Sequence, residues 1–350
     1  MKPRKIHTAI IALSLTALPG LASIADACTR VTYTGEDSIV LTGRSMDWMT
    51  PLHTNLWALP KGLTRDGAAD VNSITWTSKY GSIVATAFDK STTDGMNTAG
   101  LVANLLYLEQ ADYGQRDKAR PGLSIAGWVQ YVLDNFGSVN EAVTALKQEP
   151  FQIVDFPMPD GTKPVLHLSI SDASGDSAIL EYIDGKLTIH HDRKYQVMTN
   201  EPPFEQQLAL NTYWQEIGDV MLPGTDRPAD RFVRASYYLN QTPQTKDLRT
   251  ALASMFSIMR NVSVPMGESK PGHPNIAPTL WRTVSDQKNR TYYFESTMTP
   301  NVFWVEMDKL NLEQGAPTMR LSLEGDPVYA GDTAQHFVPA QPFVFRSPNT

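Results

Sequence analysis

The sequence predicts an α+β fold of antiparallel sheets covered by helices, and three observations carry that expectation. Short β-type runs follow one another across Gly-, Asp- and Asn-rich turns, most clearly at Asp184-Gly185, a dipeptide suited to a two-residue hairpin. Helical periodicity comes in blocks, after residue 124 and again after residue 204. A doubly wound parallel sheet would instead alternate strand and helix one for one. No Pro/Gly/Ser-rich stretch divides the chain, so residues 28–350 read as one domain behind a leader at 1–27.

The leader comes first. Lys2, Arg4 and Lys5 precede an apolar run over 10–18, then Pro19-Gly20 and the small residues ending in Ala25-Asp26-Ala27. That is the three-part pattern of a signal peptide cleaved after Ala27. The apolar run is too short to span a bilayer, and no later run is long enough. The expectation is export to the periplasm without a membrane anchor after processing. A lipidated Cys28, tethering a binding protein to a membrane, is the rival; the acidic Asp26 fits the lipidation pattern poorly.

Beyond the leader, runs at 31–33 and 39–42 flank Gly35-Glu36-Asp37 and predict a hairpin at the new N-terminus. A second hairpin is expected from 73–77 and 82–88 across Lys79-Tyr80-Gly81, and 100–108 reads as a buried strand. Apolar residues at helical spacing predict a helix over 124–136. Ser138-Val139-Asn140-Glu141 is a capping-box pattern that opens another, running to about Lys147. Strands follow at 165–170, 178–183, 187–190 and 195–199, helices at 204–217, 229–239 and 248–259, and strands at 282–285, 291–295 and 302–307.

Composition narrows the function. The chain is 41% hydrophobic and 19% charged, with a net charge of −7 that becomes more negative once the basic leader is lost. An acidic chain without a basic stripe is a poor nucleic-acid partner. The seven histidines include no H-x-x-x-H pair, and His190-His191 would point to opposite faces of a strand. No G-x-S-x-G elbow, P-loop or G-x-G-x-x-G fingerprint occurs. The expectation is chemistry without metal or organic cofactor.

What remains is Cys28, the single cysteine. Stabilising cysteines of exported proteins come in pairs, so a lone one is a reactive or partner-seeking thiol. Cleavage after Ala27 would put a thiol and a free α-amine on the same residue. An α-amine titrates near pH 7.7–8.0, so part of it is neutral and able to take the thiol proton. The attacking thiolate then needs a nearby cation and donors for the oxyanion.

Taken alone, the other candidates have ordinary alternatives. Arg44 and Asp47 could be surface ion-pair partners at a strand end, and Asn200 a turn residue. Tyr107 could be core, and Trp48 either core or a substrate-pocket aromatic. Asn97 reads as structural, in a turn at Asp94-Gly95.

In order along the chain stand Cys28-Thr29-Arg30, Gly43-Arg44-Ser45-Met46-Asp47-Trp48, and Asp94-Gly95-Met96-Asn97 with Gly100-Leu101. Then come Met198-Thr199-Asn200-Glu201-Pro202 and Leu222-Pro223-Gly224 with Arg231-Phe232-Val233-Arg234-Ala235. Together they resemble the choloylglycine hydrolase family, the penicillin V acylases and conjugated bile salt hydrolases of the N-terminal nucleophile superfamily. The resemblance implies a four-layer αββα sandwich and hydrolysis of small N-acyl amides through a thioester. It implies Cys28 as nucleophile, Arg44 beside the thiol, Asp47 holding the amine, Asn200 as one oxyanion donor and the backbone N–H of Tyr107 as the other. Arg231 matches the last active-site arginine, with Arg234 a weaker candidate.

Tyr at position 107 tends toward penicillin acylases, and the leader resembles the Gram-negative periplasmic branch, which acts on penicillin V and N-acyl homoserine lactones. The resemblance also implies a homo-oligomer. The short 212–222 segment, however, lacks the longer loop that helps many Gram-positive tetramers assemble.

Overall fold

The computed structural model describes residues 28–157, 163–218, 220–267 and 277–348, so the expected leader lies outside the described residues. Two large sheets dominate. The first has seven strands in the order Val197–Thr199, Thr29–Thr34, Val40–Asp47, Thr279–Asp286, Thr291–Ser296, Val302–Glu306 and Gly331–Asp332. The second has nine, running from Lys186–His191 through Ser177–Ile183, Leu166–Ser171, Val102–Tyr107, Ser91–Asn97, Ser82–Ala87, Leu56–Leu59 and Met319–Leu321 to Val338–Pro339. All neighbours in both sheets are antiparallel except the short Gly331–Asp332 strand.

Among the described residues, five α-helices lie on the outer faces. Helices α1 (Trp128–Asn135) and α2 (Val139–Leu146) pack on the nine-stranded sheet, and α4 (Pro228–Gln241) and α5 (Leu248–Asn261) on the seven-stranded one. Helix α3 (Phe204–Ile217) packs against α4. The result is the αββα sandwich. A strand turns alternate side chains to opposite faces, so each central strand serves two layers. In Val40–Asp47, Thr42 reaches across to Ser171 of the other sheet (2.8 Å), while Gly43 faces α5. A Cβ on Gly43 would sit 2.8 Å from Met255 Sδ and from Met259 Cγ, so the glycine lets the helix close onto the strand.

Several expected helices form, one of them through the cap the sequence predicts. Ser138 accepts the N–H of Glu141 (3.3 Å), and Glu141 reaches back to the N–H of Gly137 (2.8 Å), closing the start of α2. Asp247 caps α5 through Thr250 N–H (3.1 Å), and Pro228 takes the first position of α4.

Three expectations fail. The 73–77 and 82–88 runs do not pair with each other: Thr75–Thr77 joins Thr64–Asp66 in a separate ribbon, and Ser82–Ala87 lies between Leu56–Leu59 and Ser91–Asn97. The 79–81 turn therefore links two sheets, which local turn chemistry does not distinguish from a hairpin. Asp94-Gly95 is not a turn but the middle of the buried Ser91–Asn97 strand. A Cβ at Gly95 would meet Val84 Cγ1 at 2.7 Å and Leu133 Cδ1 at 2.9 Å, so this glycine too permits close packing. The 124–136 helix begins only at Trp128, after the strand Gly122–Ser124 and a 3-10 turn. Asn97 is structural as expected, donating to Leu133 O (2.9 Å) and Phe136 O (2.7 Å) at the end of α1.

Candidate active site

The site is assembled at the edge where the N-terminal strand begins. Thr29–Thr34 pairs with Val40–Asp47 in a register that sets Thr29 opposite Ser45 and Arg30 opposite Arg44. One step back along that register, Cys28 comes opposite Met46. Its Sγ lies 4.0 Å from Met46 Sδ and 3.8 Å from the Asp47 carbonyl. Arg44, two residues from Met46 and on the same face, holds Nη2 3.7 Å from Sγ and 3.3 Å from Met46 Sδ. The same Nη2 donates to Leu105 O of the facing sheet (3.1 Å), and the guanidinium stacks 4.6 Å over the Trp281 ring. Arg44 is fully buried, with Nε and Nη1 unpartnered. A buried guanidinium so sparsely bonded favours an anion beside it.

The opposite face of the strand carries Ser45 and Asp47. Asp47 accepts from Thr279 Oγ1 (2.6 Å) and Ser45 Oγ (3.4 Å) and lies 3.7 Å from Arg231 Nη1. Burial pushes its carboxyl up to about 6, with Arg231, the Thr279 hydrogen bond, Arg44 and Arg282 opposing.

Arg231, projecting from α4 and fully buried, is the hub of the remaining bonds. Its Nη1 donates to Cys28 O (2.9 Å) and Thr29 Oγ1 (2.5 Å), its Nη2 to Asn200 Oδ1 (2.9 Å) and its Nε to Asp226 O (2.9 Å). The bond to Asn200 settles that side chain's orientation: an arginine can only donate, so the atom facing it is the amide oxygen. The amide nitrogen then points the other way and donates to Tyr107 O (2.9 Å). Asn200 and the Tyr107 backbone are thus joined directly, at the end of the strand that also carries Leu105. The neighbouring Glu201 carboxyl is pushed up to about 7 by burial, against the pull of Arg231, and its Oε2 has no hydrogen-bond partner.

Cys28 opens on a cleft of about 760 Å³, part of it open to solvent. Met46, Trp48, Leu52, Phe88, Tyr107 and Phe156 supply much of its apolar wall. Trp48, half-buried, lies in this wall rather than in the core. Arg234 does not join the site; it donates to Pro223 O (2.9 Å) and Thr225 O (2.7 Å) and secures the loop before α4. The sequence did not point to Met46, Thr279 or Ser45. Met46 was open to discovery through the two-residue period it shares with Arg44, whereas Thr279 reaches Asp47 across 232 residues, with no local signal.

A deeply buried thiol beside one arginine, braced by a second, opens on an apolar cleft in an αββα sandwich, the architecture of the N-terminal nucleophile hydrolases. Residues 28–320 match the profile of the linear amide C-N hydrolases of the choloylglycine hydrolase family. The chain belongs to that family and is a hydrolase acting on linear amide C–N bonds. It is 48% identical to a penicillin V acylase of Pectobacterium atrosepticum, across 98% of each chain. A bile salt hydrolase/transferase of Clostridium perfringens is 27% identical, over 82% of this chain and 94% of that one. The solved structure of penicillin V acylase from Agrobacterium tumefaciens superposes with a TM-score of 0.87 at 54% identity, covering 91% of this chain and all of that one.

Proposed function

We propose that the protein is exported, cleaved after Ala27, and acts as a penicillin V acylase with Cys28 as its N-terminal nucleophile. The observation that supports this best is the Cys28 thiol, 3.7 Å from the Arg44 guanidinium at the buried end of an apolar cleft. The freed α-amine takes the thiol proton, and the thiolate attacks the acyl carbonyl carbon. Arg44 favours the thiolate. Asn200 spends one amide proton on Tyr107 O and has a second for the tetrahedral oxyanion, joined there by the Tyr107 backbone N–H. Collapse breaks the C–N bond, the proton passes to the leaving amine, and a thioester remains on Cys28. Water, deprotonated by the α-amine, hydrolyses it. Asp47 holds the amine in place, and Arg231, which bonds to Cys28 O and Asn200 but not to the reacting atoms, acts as a positioning residue.

The aromatic wall of Trp48, Phe88, Tyr107 and Phe156 suits an aryl-bearing acyl group such as the phenoxyacetyl of penicillin V. The test is a panel of penicillin V, penicillin G, N-acyl homoserine lactones and glycocholate, compared by kcat/KM. Penicillin V should rank first; a lactone or glycocholate at the top would replace it as substrate. Intact mass of the exported protein checks the nucleophile. An unmodified N-terminal cysteine is expected, and a diacylglyceryl adduct would sink the mechanism.

A further inference from the structure

The cleft carries two charges that the amide chemistry does not use, Lys90 and Arg346. Its charged lining residues are Arg44, Lys90 and Arg346, all cationic, in a chain whose net charge is −7. Arg44 is buried beside the thiol, whereas Lys90 is exposed and Arg346 partly exposed, so these two mark the solvent end. Arg346 lies beyond the family match, which ends at 320. It arrives on a C-terminal strap anchored by Phe345, which is buried and stacked on Trp76 with centroids 6.1 Å apart, and by Phe343 against Trp57.

The strap ties the backbones of the two residues together, and both side chains line the cleft. The Arg346 N–H donates to Lys90 O (2.9 Å), and Ser124 Oγ donates to Arg346 O (2.6 Å). The guanidinium lies 4.9 Å over the Phe156 ring, and Pro157 O takes one of its five N–H donors (3.0 Å). Lys90 has no ion pair among the described residues. The adjacent Asp89 is occupied elsewhere, by Asn55 (2.9 Å), Trp57 (2.7 Å), Thr86 (2.7 Å) and Arg320 (3.1 Å). An arginine held over an aromatic ring with donors to spare, beside an unpaired lysine, is a receptor for a carboxylate. Low-dielectric walls focus the positive potential into the cleft.

We propose that Lys90 and Arg346 form a carboxylate-binding subsite, which makes anionic N-acyl amides the preferred substrates over neutral ones of the same acyl group. This rests on the amidase reading above. The carboxylate can belong to the amine half or to the far end of the acyl half, and the substrates below separate the two.

The experiment compares N-(phenoxyacetyl)glycine, N-(phenoxyacetyl)glycinamide and N-(4-carboxyphenoxyacetyl)glycinamide on the wild type and on Lys90→Met, Arg346→Met and Arg346→Lys. One carboxylate substrate should exceed the neutral glycinamide in kcat/KM by about tenfold, falling as salt screens the cations. Each Met variant should raise its KM about three- to tenfold, while kcat and the neutral substrate's kcat/KM stay within about twofold. Arg346→Lys should keep most of the preference. Equal kcat/KM for all three substrates, or Met variants that slow charged and neutral substrates alike, would overturn the subsite while leaving the amidase standing. Hydrolysis of none of the three while penicillin V is still cleaved would overturn the subsite alone, and no hydrolysis of penicillin V either would overturn the penicillin V acylase reading as well.

Discussion

The two ends of the cleft are built differently. At the floor, Arg44, Asp47, Asn200 and Arg231 are 0% exposed and Cys28 2%, and each is held by at least one bond to a different stretch of chain. At the solvent end, Phe88 is 42% exposed, Trp48 is half-buried, and Lys90 is held among the described residues by its backbone alone. Fixed dipoles and charges stabilise a transition state only if they need not reorganise, and burial supplies that rigidity. Recognition of a substrate's periphery tolerates looser side chains, because each contact there contributes little. The contrast teaches that the sandwich fixes the floor of the cleft, whereas the loops and tail laid over it shape its mouth.

If that contrast holds, substitutions should grade from loss of chemistry at the floor to mild changes of KM at the mouth. Cys28→Ala should lower kcat by more than about 10⁴-fold with an unchanged circular dichroism spectrum. Activity retained in the folded variant would end the nucleophile assignment.

Arg231→Met comes next. It removes four hydrogen bonds and leaves the Asp47 carboxyl buried without its nearest counter-charge. Stability should drop by about 3–5 kcal/mol, measured by urea denaturation, with activity falling in the fraction still folded. A stable, active variant would show that the floor is not held together as described.

Asp47 gives the pH arm. Its carboxyl is raised to about 6, so it is protonated below that value and ionised above it. Only the ionised form can hold the terminal ammonium of Cys28. The ammonium itself draws the carboxyl down from that value, so activity should rise with pH in a step at or below about 6, ahead of the step from the α-amine near 8. Asp47→Asn should lose the lower step from its kcat/KM profile and most of its rate. The same shift bears on stability: between about pH 4 and 6 the folded state keeps a proton that the unfolded chain has released, so this group's contribution falls as pH rises through that window.

The smallest effect belongs to the mouth. Phe88→Ala should raise KM for penicillin V by about two- to fivefold with kcat and melting temperature nearly unchanged. A collapse of kcat would make Phe88 part of the floor.

Much of the fold was legible because its signals are local. The Ser138–Glu141 cap, the Asp184-Gly185 turn and the helical spacing of 248–259 each act within a few residues, and each element forms where expected. The failures lie where local chemistry is ambiguous. Lys79-Tyr80-Gly81 looks the same whether it closes a hairpin or crosses between sheets. Asp94-Gly95 carries a turn's residues, yet its glycine serves a helix packed on a strand and its aspartate is buried against Asn104 (2.6 Å), Thr283 and Tyr292. Arg44 and Asp47 had ordinary surface readings, and only burial to 0% exposure removes them.

The sequence by itself singled out the group we propose as reactive. A lone thiol next to an expected cleavage signal is a matter of neighbouring residues, and that reading needs no folding to place an α-amine on the same residue. Only the tertiary structure decided what surrounds that group. Residues 44, 200, 231 and 346 are brought to Cys28 and its cleft by strand register, by α4 lying against the first strand and by a C-terminal strap anchored on aromatic rings. Those placements depend on long-range packing, which has no counterpart in the local order of the chain.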